Sequence, residues 1–444
     1  MADPDPGGFR IPGVRIKLNP YKYSLQCGAP GPSLPRVSAH DDINSDAERW
    51  RPEAAEPLSG TNLRHAGDHN RRVVFDAVRL HGPVTRLELA DLTGLTPPAI
   101  ANISNRLVKD GLVRQSGRTR GARGQPAIKL VANTEHWFCA GLDVAADHLT
   151  LAVIDIAGTV RAQTTRDVQR PCLDGARGFA RRSMGGLLKS ASIQPQQLLG
   201  LGIALSGEVA GAWGRPAGDS ERCNTDPIAR AFASTLKVPV FVERNVTAAA
   251  LGELLFGAGR RHRSFYWLEL SDAAGGCLLI DGELAGVAGR GSASPGLLPV
   301  QVKDSSVRTL QDALSISALY ARLRTAGHRV STPRGLTRLD AHGRAIREEW
   351  FESAVQGLRQ ILAAIHSLIG PQAVIVGGDL PANILDALLE RLSLGSACAE
   401  TANSRIPIVA RALNLTDAAA IGAAGLPFSH RLLPRRAALV KPRT

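Results

Sequence analysis

The chain has 444 residues with 53 Lys and Arg against 40 Asp and Glu, a formal net charge of +13. That length exceeds one ordinary core and suits two or three domains, while the charge calls for a polyanionic partner, since neutralising phosphates releases counterions. No run of eighteen or more apolar residues and no basic-then-apolar leader occurs, so a soluble, cytoplasmic protein without a membrane partner is expected. Six scattered cysteines, Cys27, Cys139, Cys172, Cys223, Cys277 and Cys398, contain no Cys-x-x-Cys pair, so neither a disulfide framework nor a local zinc knuckle is indicated.

Residues 1–65 are rich in Pro, Gly, Asp, Ser and Arg without sustained periodicity. They cannot bury enough apolar area to offset the entropy of ordering and are expected to form a flexible leader. From about His69, Val73, Val74, Ala77, Val78 and Leu80 recur at helical spacing and stop at His81-Gly82-Pro83. A second, short helix follows, with Thr85 as N-cap, Glu88 completing a capping box and Gly94 ending it. Thr96 then precedes Pro97 and Pro98, which suit a first helical turn, and Ile100, Ile103, Leu107 and Val108 give a third helix its buried stripe.

Two short strands, Leu112-Val113-Arg114 and Ile128-Lys129-Leu130-Val131, flank a glycine-rich basic loop over residues 117–126. Three helices and a basic hairpin are the parts of a winged helix, here spanning 66–133. Between Arg64 and Val131 twelve Lys and Arg face five Asp and Glu, so more than half of the net charge is concentrated there. Asn102, Asn105 and Arg106, opposite the apolar stripe of the third helix together with Pro98, are placed to meet base edges in a major groove. Asn pairs bidentately with adenine and Arg with guanine. Thr85, Arg86, Thr96 and Pro97 lie at helix starts, where phosphate is commonly held, although capping alone also accounts for the threonines. Arg118, Arg120 and Arg123 follow the wing toward a minor groove or the backbone.

Beyond Trp137 the period changes. Residues 138–144 and 149–155 read as strands, a third lies around Val160, and later apolar runs at 199–205, 238–242, 264–270, 277–280 and 373–376 alternate with helical stretches. A mixed α/β domain is expected over 137–427, followed by a basic tail, 428–444, carrying Arg431, Arg435, Arg436, Lys441 and Arg443.

The order of these blocks resembles the ROK family, which joins sugar kinases to winged-helix repressors. The diagnostic stretch is Val242-Glu243-Arg244-Asn245 followed by Ala249-Ala250-Leu251-Gly252-Glu253 and Gly257-Ala258-Gly259. It is supported by Gly141-Leu142-Asp143, Gly202-Ile203, Ile280-Asp281-Gly282, Val376-Gly377-Gly378 and the late Ala418–Ala424 segment. The resemblance implies a duplicated actin-like (ribonuclease H-like) ATPase fold with a cleft between two lobes.

The departures from the family pattern are as informative. Asn245 stands where the kinases carry their general base and cannot titrate. Arg244 replaces a neighbouring Asn, and Asp143 is followed by Val144-Ala145-Ala146-Asp147-His148 where the kinases have a glycine-rich phosphate loop. Asp272 stands in the second such loop. The added carboxylates are expected to repel nucleotide. Gly296-Leu297-Leu298-Pro299 and Thr309-Leu310-Gln311 occupy the places of the family's sugar- and zinc-binding motifs. The resulting expectation is a non-enzymatic, DNA-binding repressor of carbohydrate-related genes, a homodimer or tetramer on a palindromic operator, needing neither metal nor cofactor; the alternatives are an active ATP-dependent sugar kinase with an attached DNA-binding module and a protein-binding pseudokinase scaffold. Asp143, Glu243, Asn245 and Glu253 are left as candidates to line a sugar-type effector cleft.

Overall fold

A computed structural model of the chain describes residues 63–118, 126–214, 227–271, 273–285, 295–302, 307–330, 333–396, 408–413 and 417–434. The expected leader lies outside the described residues up to residue 62. Residues 60–444 belong to one compact unit.

The first part of that unit consists of α1 (Leu63–His81), β1 (Val84–Thr85), α2 (Arg86–Thr93), α3 (Pro97–Lys109), β2 (Val113–Arg118) and β3 (Ile128–Ala132). The three helices expected from the periodicity are present. The strand β1 was not anticipated, because two residues carry no periodic signal. It pairs antiparallel with β3, Val84 opposite Leu130, so that the sheet order is β1-β3-β2. Thr85 and Glu88 form the reciprocal capping box, and Gly94 closes α2 in the left-handed region at φ 68° with its amide on the Ala90 carbonyl. Thr96 sits at the N-cap of α3 but makes no side-chain capping bond. Pro97 and Pro98 have no N–H to satisfy, so the usual demand on a capping hydroxyl is reduced.

The remainder is built twice on one plan. The first half contains β4 (Phe138–Val144), β5 (His148–Asp155), β6 (Val160–Asp167), α4 (Leu173–Ser190), β7 (Leu198–Leu205), α5 (Gly207–Ala212), α6 (Pro227–Leu236), β8 (Val240–Arg244) and α7 (Asn245–Phe256). The second contains β9 (Phe265–Leu270), β10 (Ala274–Ile280) and β11 (Glu283–Leu284), then the hairpin β12 (Pro299–Gln301) and β13 (Val307–Thr309). It continues through α8 (Leu310–Leu314), α9 (Ile316–Thr325), α10 (Ala341–Leu368), β14 (Ala373–Gly377), α11 (Ala382–Ser396), β15 (Ile408–Arg411) and α12 (Ala418–Leu432). The sheet orders are β6-β5-β4-β7-β8 and β11-β10-β9-β14-β15. Each is an antiparallel meander whose first strand is joined by two parallel strands. That is the duplicated actin-like arrangement implied by the resemblance.

The helix α12 holds the unit together, lying against β4, β7, α7 and α1. Its approach is too close for side chains: a Cβ on Gly202 would stand 1.7 Å from the Ala423 carbonyl oxygen, and one on Gly422 would stand 1.9 Å from that of Ala248. Glycine is required there by backbone contact and not by turn geometry. Beyond this seam, Phe428, Leu432 and Leu433 share one apolar cluster with Val74, Phe75, Val78, Leu89, Ile100 and Leu107 from the first three helices and with Cys139, Ile154 and Leu199 from the sheet. Phe75 meets Phe428 edge-on at 6.1 Å. The expected tail from 428 therefore begins inside a packed helix, and Arg431 donates to the Leu199 carbonyl at 2.7 Å. Arg435, Arg436, Lys441 and Arg443 lie outside the described residues.

Candidate nucleic-acid interface and ligand cleft

The helix α3 buries Ile100, Ser104 and Leu107 and exposes Thr96, Pro97, Pro98, Asn102, Asn105 and Arg106. These exposed groups are not equivalent. Arg86, at the start of α2, donates from Nε to Ser104 Oγ at 2.9 Å and from a terminal nitrogen to Asn105 Oδ1 at 2.6 Å. Ser104 in turn donates to the Ala101 carbonyl at 3.1 Å. Arg86 is thus a strut between the two helices. It occupies one acceptor position of Asn105 Oδ1, so Asn105 is less free than Asn102 to make the two-way bond that adenine requires.

Among the described residues Asn102 has no side-chain hydrogen-bond partner, so both of its functions remain available to a ligand. Arg106, 72% exposed, keeps only a long 3.9 Å contact with Asp110, which solvent and salt screen. Thr85 is 6% exposed and its hydroxyl accepts from the Glu88 amide, so its geometry is that of a cap. Arg118 ends β2 opposite Ile128, in a strand exposed from Arg114 onward; Arg120 and Arg123 lie outside the described residues.

In the first half, Asp143 near the end of β4 faces His148 at the start of β5. His148 Nε2 lies 3.4 Å from Asp143 and Nδ1 2.7 Å from Asp147. Hydrogen bonds to Asp143 and then Asp147, with their charges, push the imidazole up to about 11 against the opposing effect of burial. A cation therefore occupies the turn after β4. The imidazolium offsets part of the charge of Asp143 and Asp147, and the trio stays negative on balance. Asp272 lies outside the described residues.

In the second candidate stretch, Asn245 begins α7 and donates from Nδ2 to Glu269 Oε1 at 2.9 Å. Glu269 also accepts from Ser271 Oγ at 3.1 Å and from Trp267 Nε1 at 3.3 Å. It is 5% exposed, and burial raises its carboxyl to about 7; the Trp267 and Ser271 bonds lower it, the Asp143 charge adds to the rise, and Arg244 opposes it. The Asp143 charge is thus felt at Glu269, which places the end of β4 and the end of β9 near one another electrostatically. Sequence reasoning missed Glu269, although a lone acid inside the apolar run 265–270 was a visible signal.

Glu243 is 7% exposed and accepts from the Arg244 amide at 2.9 Å. Glu253 does not belong with Asn245: it lies two turns along α7, fully buried, accepting from the Ala258 amide at 2.8 Å and the Leu413 amide at 3.2 Å. Its task is to close the end of α7 onto its neighbours. In the place of the family's sugar-contacting motif, Leu297 and Leu298 are exposed and supply no polar group. Among the described residues no three His, Cys, Asp or Glu side chains gather as metal ligands, and no helix is long and apolar enough to cross a membrane.

The ROK family model matches residues 139–428, from the first strand of the duplicated fold to the late helix α12. The chain belongs to the ROK family. Among relatives, the xylose repressor of Bacillus subtilis is 23% identical over 221 residues, 50% of this chain and 58% of that protein. The DNA-binding transcriptional dual regulator NagC of Escherichia coli is 19% identical over 335 residues, 70% of this chain and 80% of that one. A crystal structure of a ROK family transcriptional regulator, a homologue of the E. coli MLC protein, superposes with a TM-score of 0.62 at 16% identity, covering 85% of this chain and all of the other. At that identity the likeness establishes the fold.

Proposed function

We propose that this protein is a sequence-specific transcriptional regulator in which α1, α2, α3 and the β2–β3 hairpin act as a winged helix on operator DNA. The ROK-family halves then serve as effector and assembly domain, without phosphoryl transfer. The carrying observation is the unspent polar face of α3: Thr96, Asn102 and Arg106 are exposed, while Arg86 fixes the helix that bears them. Asn102 and Arg106 read base edges, Asn105 adds a donor, and the Thr96 hydroxyl, Pro97–Pro98 turn and Arg118 meet the backbone. The xylose repressor among the relatives supports regulation of carbohydrate genes; a sugar-type effector between Asp143 and Asn245 and a homodimer or tetramer whose paired third helices match a palindrome belong to the same proposal.

The test is binding to labelled fragments from upstream of the gene and its neighbours across a salt series. A complex that prefers particular fragments and weakens steeply with salt is expected; uniform weak binding to all fragments contradicts the reading. One observation favours a second reading, a phosphotransferase with a relocated base: Glu269, with a carboxyl near 7, is bonded to Asn245. Incubation with MgATP and hexoses is expected to give no sugar phosphate. Turnover abolished by Glu269→Gln would establish the second reading instead.

A further inference from the structure

A crevice of about 1300 Å³ opens between the C-terminal end of α1, the end of α7, the β10–β11 hairpin, β15 and the end of α12, with Glu243, two residues before Asn245, also among its lining. Such a volume is at or above the range of drug-sized ligand pockets. Its floor is apolar, formed by Leu251, Leu254, Leu255, Phe256, Leu279 and Leu426. At its edge the chain runs Arg260-Arg261-His262-Arg263, four consecutive basic residues on the turn between α7 and β9, with all three arginines exposed.

Charge accounting around the wall separates spent from unspent groups. Arg79 is held by Asp76 at 2.8 Å and donates to the Leu255 carbonyl at 3.0 Å. Arg411 is paired with Asp386 at 2.9 Å. Arg263 has a neutral partner, the Asp281 carbonyl at 3.0 Å, and Arg260 and Arg261 have no carboxylate partner among the described residues. Two other carboxylates, Glu243 and Glu283, and the imidazoles of His81, His262 and His430 also line the crevice. Three guanidiniums thus stand unneutralised by salt bridges above an apolar floor. Like charges gathered without salt-bridge partners raise the local potential; Glu243 and Glu283 in the lining reduce it in part, and an anion relieves it further.

We propose that this crevice binds an amphipathic anion, a small molecule with an apolar body that lies on the Leu254–Leu255–Phe256 floor and a phosphate, sulfonate or carboxylate head that engages Arg260, Arg261 and Arg263. The guanidinium forks match such oxyanions bidentately. Because one wall is α1 and the others belong to the ROK-family halves, the occupant touches both parts of the unit.

The probe is 8-anilinonaphthalene-1-sulfonate, which carries both features, titrated into the full chain without DNA and followed by its fluorescence. Saturable binding is expected, weakened about tenfold or more in R260A/R261A and also in L413D, which places a carboxylate at an exposed lining position. Both variants alter exposed side chains, and an unchanged Tm checks that they fold. Inorganic pyrophosphate is expected to compete. Binding that neither variant changes overturns the proposal. So does displacement of the probe by random-sequence duplex DNA, which would make the arginines backbone contacts. No operator is needed for this titration, so its failure leaves the DNA-reading proposal standing, and the converse also holds.

Discussion

The exposed face of α3 and the cleft at Asn245 are both rich in polar side chains, and they use them in opposite ways. On α3, among the described residues, Asn102 has no hydrogen-bond partner, Arg106 has a distant one, and the Thr96 hydroxyl makes no capping bond. In the cleft, Asn245, Trp267 and Ser271 all bond to Glu269, and His148 bridges Asp143 and Asp147. Polar groups left open to solvent are available to a partner, whereas groups that satisfy one another hold a shape. The first arrangement is what the proposed reading surface needs; the second is an internally bonded network around Glu269 and His148.

The comparison breaks most readily if the two regions prove to be independent bodies. Phe75 is buried in a cluster shared by the first three helices, the sheet and α12. Phe75→Ala is therefore expected to cost about 3–5 kcal/mol and to lower one common unfolding transition; two separate transitions in calorimetry, only one of them shifted, would contradict the shared core.

A smaller effect tests whether the cleft groups satisfy each other. Glu269→Gln turns one acceptor toward Trp267 into a donor and is expected to destabilise by about 1–3 kcal/mol. The pH dependence adds a sign. The Glu269 carboxyl is raised from 4.5 to about 7 on folding, so its contribution is fully present below 4.5 and is lost as pH rises through 7. Chemical denaturation across that window should show wild-type stability falling with pH and the Gln variant following a flatter line.

His148 acts in the next window. Raised from 6.5 to about 11, its contribution is present below 6.5 and declines as pH climbs toward 11. His148→Gln should flatten the loss of Tm between pH 7 and 9; an unaltered slope would show that the imidazolium bridge is absent. The smallest effect belongs to the wing: Arg118→Ala is expected to reduce the salt slope of DNA binding by about one unit, uniformly across sequences.

How much of this was legible in the sequence follows from the range over which each feature is encoded. The capping box at Thr85 and Glu88, the Gly94 stop and the Pro97–Pro98 start are local, and α2 and α3 fell where those residues placed them. The strut from Arg86 to Ser104 and Asn105 spans a tertiary contact with no motif, so Arg86 read as a phosphate ligand in the chain and as a positioning group in the fold. The duplicated strand order was available through family resemblance and not through any repeat of residues. In the cleft, substitution at Asn245 was visible, but its new partner lies 24 residues away on another strand. The partly neutralising role of His148 needed a turn that brings it back onto Asp143. Glu253 misled for the same reason: its motif neighbourhood is that of the cleft, yet the helix carries it two turns off to bind the Ala258 and Leu413 amides.

The central claim, that the open face of α3 reads operator sequence, is tested most directly by measuring the affinity of wild type and Asn102→Ala for operator and for random duplex at several salt concentrations. The loss expected on operator is about 1–3 kcal/mol, roughly 5- to 150-fold, with affinity for random duplex and the salt slope unchanged. Equal loss on both DNAs, or no loss on either, would contradict it.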